Sequence, residues 1–252
     1  MKIGILIANK INEHKKNVLE HILKDKSLII KIGIIDKRKE KSKYKKTIKH
    51  LRKKRGAYII IMAIQSFFKS KEFSFNTTEY LSKKNISYLE TTNINSPRII
   101  QKIRSHNLDL LILLNGFGIL KKDLLNSSKN GVLSYHHGDM RKYRGMPPIF
   151  WELYNNEQEI GITVQKLDTR LDAGIPIVEK KITIDHNDSY KSLKKKTRVQ
   201  SEPMMFDALK KLQSGNANYK KIKKLGKVYT LPNFRQWVKF QIKQSIRRLS
   251  NN

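Results

Sequence analysis

The sequence predicts an α/β fold built on a mostly parallel, twisted sheet. Along the first half of the chain, short runs of aliphatic and β-branched residues alternate with amphipathic helical patterns. Strands that are joined by helical crossovers lie parallel to one another, which gives a sheet covered by helices. The chain has 252 residues, 38% of them hydrophobic, and this is enough to bury a core and is far from the composition of a disordered protein.

The first half of the chain supplies the parallel strands. They are predicted at residues 2–8, 28–35, 86–89, 108–114 and 131–136, with helices at 11–23, 44–54, 96–105 and 120–125. Ser96 precedes Pro97 in the pattern of a helix start, since serine caps a helix and proline is accepted in its first turn. Residues 58–64 are ambiguous, because a β-rich composition coincides with the place of a helix-to-strand connection.

The pattern changes after His136. A loop over 138–148 leads into a short helix that carries Phe150, Trp151 and Tyr154, and strands follow at 160–167 and 175–184. A helix is predicted at 188–212, a short strand at 228–230 and a terminal helix at 233–249 with Asn233 as its cap. We therefore expect a Rossmann-like α/β domain over residues 1–185 and a small basic helical extension over 186–252 that packs on it.

The terminal helix is amphipathic and basic. Phe234, Val238, Ile242 and Ile246 follow each other at four-residue steps, with Trp237 beside them and lysines and arginines around. Such a helix docks its apolar stripe on its own domain or lies on a membrane surface. We favour docking, which is the ordinary role of an amphipathic helix.

The net charge is strongly positive. The sequence has 53 Lys and Arg against 21 Asp and Glu, a formal charge of +32, which attracts polyanions such as nucleic acid or phosphorylated substrates. Lysine, isoleucine and asparagine are abundant throughout, so a compositional bias of the genome is the alternative explanation. Residues 37–55 form the densest basic cluster, and their narrow apolar stripe fits a solvated helix on the sheet better than a nucleic-acid arm.

Several classes of protein are excluded. The sequence has no Cys, so disulfides, thiolate catalysis and Cys-ligated metals are ruled out, and no metal site is expected. The longest apolar run, residues 57–64, is far shorter than the roughly 20 residues of a membrane-spanning helix. The N-terminus lacks the pattern of a signal peptide. A cytoplasmic protein is the expectation.

Two segments carry candidate chemistry. Ser134 and His136 share one face of a predicted strand, while Tyr135 and His137 point the other way. Open α/β sheets place their sites at the carboxyl ends of strands, and His136 lies at such an end. Asp172 falls in the loop between two later strands; taken alone, it fits a turn residue equally well.

The two segments belong to a longer series of motifs. The series runs Ser134-x-His136, Tyr143-Arg144-Gly145-x-Pro147, Trp151, Gly161-Ile162-Thr163 and Leu171-Asp172-Ala173-Gly174. Over roughly residues 75–185 it resembles the signature of the 10-formyltetrahydrofolate-dependent formyltransferases. That family of one-carbon transferases includes methionyl-tRNA formyltransferase, glycinamide ribonucleotide formyltransferase and the sugar-nucleotide N-formyltransferases.

The resemblance implies a catalytic set of His136, Asp172 and an Asn whose place is taken here by Ser134. The serine is shorter than asparagine but still donates one hydrogen bond. Loss of one oxyanion donor costs about 10²–10³ in rate in a studied protease. Ser134 therefore predicts a slow transferase, or one whose second donor is Asn115, a backbone N–H group or water.

The resemblance also implies the binding residues. The formyl donor, 10-formyltetrahydrofolate, is expected between two loops, formed by Phe117, Gly118, Ile119 and Leu120 and by Thr169, Arg170 and Leu171. The acceptor is expected beside Arg144, Gly145, Met146 and Pro147. Arg144 itself fits either a ligand of an acceptor phosphate or a structural ion-pair partner.

The acceptor is expected to be a primary amine of an amino-sugar nucleotide or of another small phosphorylated compound. The stretch after the last core strand reads mostly as helix, unlike the C-terminal barrel of methionyl-tRNA formyltransferases. Glycinamide ribonucleotide formyltransferases usually lack the pattern of Arg144 to Trp151. The alternatives are a tRNA-directed enzyme that uses the basic surface, and a formyl-folate hydrolase or inactive relative because of Ser134. A homodimer is left open.

Overall fold

A computed structural model of the protein describes residues 1–38, 73–217 and 219–249. Two sequence-based predictions lie outside these ranges, namely the helix at 44–54 and the ambiguous segment at 58–64. Most of the basic cluster at 37–55 also lies outside them.

The described ranges contain eleven strands and eight helices. The strands are β1 (Lys2–Ala8), β2 (Lys10–Asn12), β3 (Ile29–Asp36), β4 (Ser74–Asn76), β5 (Tyr88–Thr91), β6 (Leu110–Leu113), β7 (Val132–His136), β8 (Tyr143–Gly145), β9 (Glu159–Lys166), β10 (Ile175–Thr183) and β11 (Lys227–Tyr229). The helices are α1 (Glu13–Leu23), α2 (Thr77–Lys83), α3 (Pro97–Ser105), α4 (Lys122–Leu125), α5 (Phe150–Tyr154), α6 (Tyr190–Ser201), α7 (Met204–Gln213) and α8 (Phe234–Leu249).

Seven strands form one central sheet in the order β10-β9-β7-β6-β1-β3-β5. Strands β7, β6, β1, β3 and β5 are parallel, while β9 runs antiparallel to both β7 and β10. The predicted fold class, a mostly parallel α/β sheet, is confirmed. Two short pairs, β8 with β11 and β2 with β4, lie outside this sheet.

Most predicted elements are present within a few residues of their expected bounds. The single helix predicted at 188–212 is wrong, because it is divided into α6 and α7. Pro203 lies at the division, where its missing N–H group and its ring prevent one helix from continuing. The sequence reasoning also missed β2, β4, β8 and α2, and each of these three strands has only three residues.

Helices cover both faces of the sheet. On one face, Val18 and Ile22 of α1 and Met205 and Leu209 of α7 join a core cluster with β1. On the other face, α3 and α4 pack in a second cluster with β1, β3 and β6. Since residues of α7 belong to the core of the sheet, this part of the predicted extension packs directly on the first part of the chain. The boundary at residue 185 stays a prediction.

Helix α8 docks on its own chain, but through a different face from the predicted one. Phe240 is buried and its ring lies 4.4 Å from that of Phe150. The predicted stripe is wrong, because Phe234, Ile242 and Ile246 are exposed. The rings of Trp237 and Phe240 instead join an aromatic cluster with α5.

The cap of α8 is the predicted one, since the Asn233 side chain accepts a hydrogen bond from the Gln236 N–H group at 2.9 Å. Across the described ranges, none of the helices has the length and apolar character needed to cross a membrane.

Candidate active site

His136 ends β7 at the carboxyl edge of the sheet and is buried. Its Nδ1 lies 3.5 Å from Asp172 Oδ1, and its Nε2 donates a hydrogen bond of 2.8 Å to the Tyr143 carbonyl oxygen. Burial lowers the pKa of His136, but Asp172 and the Tyr143 carbonyl outweigh it and raise the pKa above its ordinary value. Because acceptors face both ring nitrogens, the site favours imidazolium.

Asp172 is held as a carboxylate in the loop between β9 and β10. Its φ of 42° lies in the left-handed region, which aspartate enters more readily than most residues. The Gly145 N–H group donates to Oδ2 at 2.8 Å. Burial raises the pKa of Asp172, but hydrogen bonds from His136, Gly145 and Gln165 bring the pKa below its ordinary value. The structure thus brings the two predicted catalytic residues into contact.

Arg144 holds the backbone of the Asp172 loop. Its Nε donates to the Asp172 carbonyl oxygen at 2.9 Å, and its Nη2 donates to that of Leu171 at 2.6 Å. Nη1 donates to the carbonyl oxygen of Gly226 at 3.2 Å. The guanidinium therefore has a structural role. It holds three backbone carbonyl oxygens and not the carboxylate that a structural ion pair would require. A contact between Arg144 and an acceptor phosphate stays a prediction.

Close backbone packing requires glycine beside Asp172. Gly145 has a φ of 87°, and a Cβ at this position would lie 2.1 Å from the Tyr229 carbonyl oxygen. A Cβ on Gly174 would lie equally close, 2.1 Å, to the Lys166 carbonyl oxygen. These glycines let β8 approach β11 and let the loop turn back onto β9, which aims the Asp172 carboxylate at His136.

The predicted acceptor segment borders His136. Arg144, Gly145, Met146 and Pro147 line a cavity of about 10 Å³ together with His136. Met146 is exposed at its mouth. Residues 144–147, which follow the catalytic strand in the sequence motif, thus lie beside His136 on one side of the site.

Ser134 lies on the same face as His136, as alternation along β7 predicts. In the strand register, Ser134 is paired with Gln165 of β9. Gln165 is buried, donates to Asp172 and accepts a hydrogen bond from the Gly174 N–H group at 3.0 Å. Ser134 is therefore two residues from His136 and opposite a residue that contacts Asp172.

The opposite face of β7 carries Tyr135 and His137, as predicted. Their rings stack at 5.9 Å, and His137 Nε2 lies 3.4 Å from the Ser201 hydroxyl oxygen of α6. Burial lowers the pKa of His137 to about 3. A neutral, packed histidine is what this environment supports.

The two loops predicted to bind the formyl donor adjoin one hydrophobic cluster, which contains Phe117 and contacts Leu167. Phe117 is buried with a φ of 53°, and its N–H group donates to Asp36 Oδ2 at 2.8 Å. Ile119 is 80% exposed and Leu171 is 58% exposed, so each loop presents an apolar side chain to solvent.

The other residues predicted for these loops are held in different ways. Leu120 is buried, and a Cβ on Gly118, which has a φ of 70°, would lie 3.8 Å from Arg38 Nη1. The Thr169 N–H group donates to Asp168 Oδ1 at 2.6 Å, and Arg170 Nη2 lies 3.5 Å from Asp168 Oδ2. Asp168 therefore orders the first part of the second loop.

Comparison with known proteins agrees with this architecture. A family model described as "Formyl transferase" matches residues 35–209. The chain belongs to the formyl transferase family. The predicted enzyme class, the one-carbon transferases, is the class of this family.

Among similar formyl transferases, the methionyl-tRNA formyltransferase of Geobacter metallireducens is 30% identical over 136 residues, 54% of this chain and 44% of the relative. The chain spans about half the length of the curated relatives it matches.

Solved structures share the fold. An N-formyltransferase from Helicobacter canadensis, in complex with folinic acid and dTDP-3-aminofucose, has a TM-score of 0.61 at 17% identity, covering 97% of this chain and 80% of its own. A phosphoribosylglycinamide formyltransferase from Bacillus halodurans has a TM-score of 0.60 at 15% identity, covering 87% and 99%.

In this member of the formyl transferase family, sequence reasoning missed two residues beside the candidate catalytic pair. Gln165 donates to Asp172. The only sequence signal for it was the alternation of side chains along β9, which places Gln165 opposite Ser134 once β9 is paired with β7. Glu152 of α5 lines the same small cavity as His136. Its position in a short aromatic helix gave no sign of a buried carboxyl group.

Proposed function

We propose that this protein is a cytoplasmic, folate-dependent N-formyltransferase that moves a formyl group from 10-formyltetrahydrofolate to the primary amine of an amino-sugar nucleotide. The observation that carries the proposal is the contact between His136 and Asp172 at the carboxyl edge of β7. An imidazolium and a carboxylate side by side provide an acid for a developing oxyanion and a base for an amine.

His136 acts on the formyl oxygen. In acyl transfer this oxygen becomes negative as the amine adds to the carbonyl carbon, and a preorganised donor stabilises that charge. At 3.5 Å the hydrogen bond from Nδ1 to Asp172 Oδ1 is long and weak, so the Nδ1–H group can donate to the formyl oxygen instead. Ser134 lies on the same face of β7, and its hydroxyl group supplies a second hydrogen-bond donor to the formyl oxygen.

Asp172 receives the proton that the attacking amine releases, directly or through one water molecule. The nitrogen from which the formyl group departs needs one proton, so the transfer requires no net proton from solvent. Arg144 and Gly145 keep the carboxylate in place during this exchange, through the hydrogen bonds to the Asp172 carbonyl and Oδ2.

The formyl donor is proposed to bind between the two loops. It supplies the activated formyl group, and its flat ring system needs an apolar slot with main-chain hydrogen bonds. The exposed side chains of Ile119 and Leu171 stand on loops that share the cluster of Phe117 and Leu167, which suits the two faces of such a ring. The Helicobacter canadensis relative is described with folinic acid bound.

The net charge of +32 favours a phosphorylated acceptor, because a cationic protein attracts anionic groups. Lys15 of α1 lies with its Nζ 5.3 Å from the centre of the Tyr135 ring. Burial and the neighbouring charge of Arg198 lower the pKa of Lys15 to about 8. Since Tyr135 lies on the face of β7 opposite His136, Lys15 belongs to the packing of that face and is not part of the proposed acceptor site.

A tRNA acceptor is the second candidate, and a specific surface favours it. A cavity of about 720 Å³ beside β10 is lined by Lys211, Lys220, Lys221, Lys223 and Lys224 together with Arg141. The similar protein from Geobacter metallireducens is a methionyl-tRNA formyltransferase. For this candidate, the affinity for tRNA must fall steeply with salt, as counterion release requires.

One experiment compares the candidates. The protein is incubated with 10-formyltetrahydrofolate and either dTDP-3-aminofucose, charged methionyl-tRNA or no acceptor. Mass spectrometry of the sugar nucleotide, chromatography of the aminoacyl group and release of tetrahydrofolate are followed in parallel. Formylated sugar supports the proposal, formylated methionyl-tRNA supports the second candidate, and tetrahydrofolate released without acceptor indicates a hydrolase and would overturn both.

A further inference from the structure

A second carboxyl group lies next to His136, on α5. Glu152 is 2% exposed, and its Oε1 has no hydrogen-bond partner among the described residues. Backbone N–H groups of Ile149 and Glu152 itself donate to the carboxyl group. Glu152 is the third residue of the helix, where Glu or Gln commonly reaches back to the cap residue. Capping explains one oxygen of Glu152 and leaves Oε1 unexplained.

The free oxygen faces the imidazole across Gly138. A Cβ on Gly138 would lie 2.8 Å from His136 Nε2, 3.1 Å from the Tyr143 carbonyl oxygen to which Nε2 donates, and 3.3 Å from Glu152 Oε1. Nε2 and Oε1 therefore lie within about 6 Å of each other. His136 and Glu152 also line the cavity of about 10 Å³, which is close to the volume that one water molecule needs. A side chain at position 138 would collide with His136 Nε2, so glycine is what allows the two groups to lie this close.

The charge of His136 favours the ionised form of Glu152, while the charge of Glu157 disfavours it. Burial raises the pKa of Glu152 to about 7, and the charge of His136 opposes this rise. Glu152 also borders an outer cleft of about 570 Å³. The other titratable groups lining the two cavities are His137, Arg144, Asp139, Lys142, Tyr143, Glu157, Glu159 and Lys181.

We propose that Glu152 is a positioning residue that stabilises the charged form of His136 from its Nε2 side, so that the imidazole lies between two carboxyl groups. This inference rests on the proposed role of His136 in formyl transfer. When the pH rises and Glu152 loses its proton, a negative charge arises beside the ring and retains the ring proton to higher pH. Asp172 is already ionised, so it stabilises the charged form of His136 across the whole pH range of the assay.

Glu152→Gln tests this with little disturbance, because glutamine keeps the shape and the reach to the start of α5. Because Glu152 borders the outer cleft of about 570 Å³, an effective dielectric constant of about 40 applies, at which a charge about 6 Å away changes a pKa by about one unit. We expect the alkaline limb of the kcat profile to move about one pH unit lower, so that kcat at pH 8 falls about 10-fold, with little change in KM. Glu159→Gln, an exposed acid on the outer cleft, is the matched control and leaves the profile in place.

An NMR titration of the free protein separates this inference from the proposed function. A His136 pKa about one unit lower in Glu152→Gln supports the inference even if no acceptor is formylated. An unchanged His136 pKa in the folded variant means that Glu152 only caps α5, which overturns it. If that variant does not fold, His136→Gln supplies the reciprocal test. The Glu152 carboxyl pKa must then rise relative to wild type, and an unchanged value overturns the inference.

Discussion

Asp172→Asn is the most direct test of the catalytic pair. Asparagine has nearly the same shape, its amide oxygen can accept from the Gly145 N–H group as Oδ2 does at 2.8 Å, and it tolerates the φ of 42°. The loop should therefore keep its conformation. What the substitution removes is the negative charge beside His136.

The size of the effect follows from the separation of the charges. Opposite unit charges 3.5 Å apart interact by about 5 kcal/mol at an effective dielectric constant of about 20. That energy corresponds to about 3.5 pKa units. Burial lowers the pKa of His136 when nothing opposes it, so the ring in the variant is neutral near pH 7.5. We expect kcat to fall about 10²–10³-fold with KM nearly unchanged, because the lost interaction belongs to the transition state.

The assay is single-turnover formyl transfer to dTDP-3-aminofucose between pH 5.5 and 9, with the His136 pKa measured by NMR alongside. Asp168→Asn is the matched control, since Asp168 lies in the same loop and accepts from the Thr169 N–H group at 2.6 Å. An Asp172→Asn protein with wild-type kcat, or with an unchanged His136 pKa, would refute the assignment.

Three further substitutions test the surroundings of the pair. Ser134→Asn should hold or raise kcat if Ser134 is an oxyanion donor; a loss of rate in a stable protein contradicts this. Gly145→Ala should lower the free energy of unfolding by about 2–4 kcal/mol, measured in urea, because its Cβ would lie 2.1 Å from the Tyr229 carbonyl oxygen. Burial in the folded state lowers the pKa of His137 from 6.5 to about 3. Between these values the unfolded chain binds a proton that the folded protein does not, so the stability present above pH 6.5 is lost as the pH falls towards 3. In His137→Phe the urea midpoint should fall less between pH 6.5 and pH 4 than in wild type, and kcat should be unchanged. A fall as steep as that of wild type would show that another group causes it.

Much of the fold was readable from the sequence because it depends on local pattern. Runs such as residues 2–8 and 108–114 are buried on both faces of a parallel sheet, so they are continuously apolar and easily recognised. Asn233 and Pro97 marked helix starts for reasons confined to one turn. The order of the motifs also led to His136 and Asp172, although 36 positions along the chain separate them.

Other features were decided only by the tertiary structure, since they depend on what lies opposite a residue in space. The side chain of Arg144 is equally suited to a phosphate, a carboxylate or a carbonyl oxygen, and only the folded loop brings the carbonyls of Leu171 and Asp172 to it. Helix α8 has two apolar faces, and the aromatic cluster around Phe150 determined which one docks. Glu152 reads as a surface acid until α5 buries it beside His136, because the sequence records the charge of a side chain but not the solvent around it.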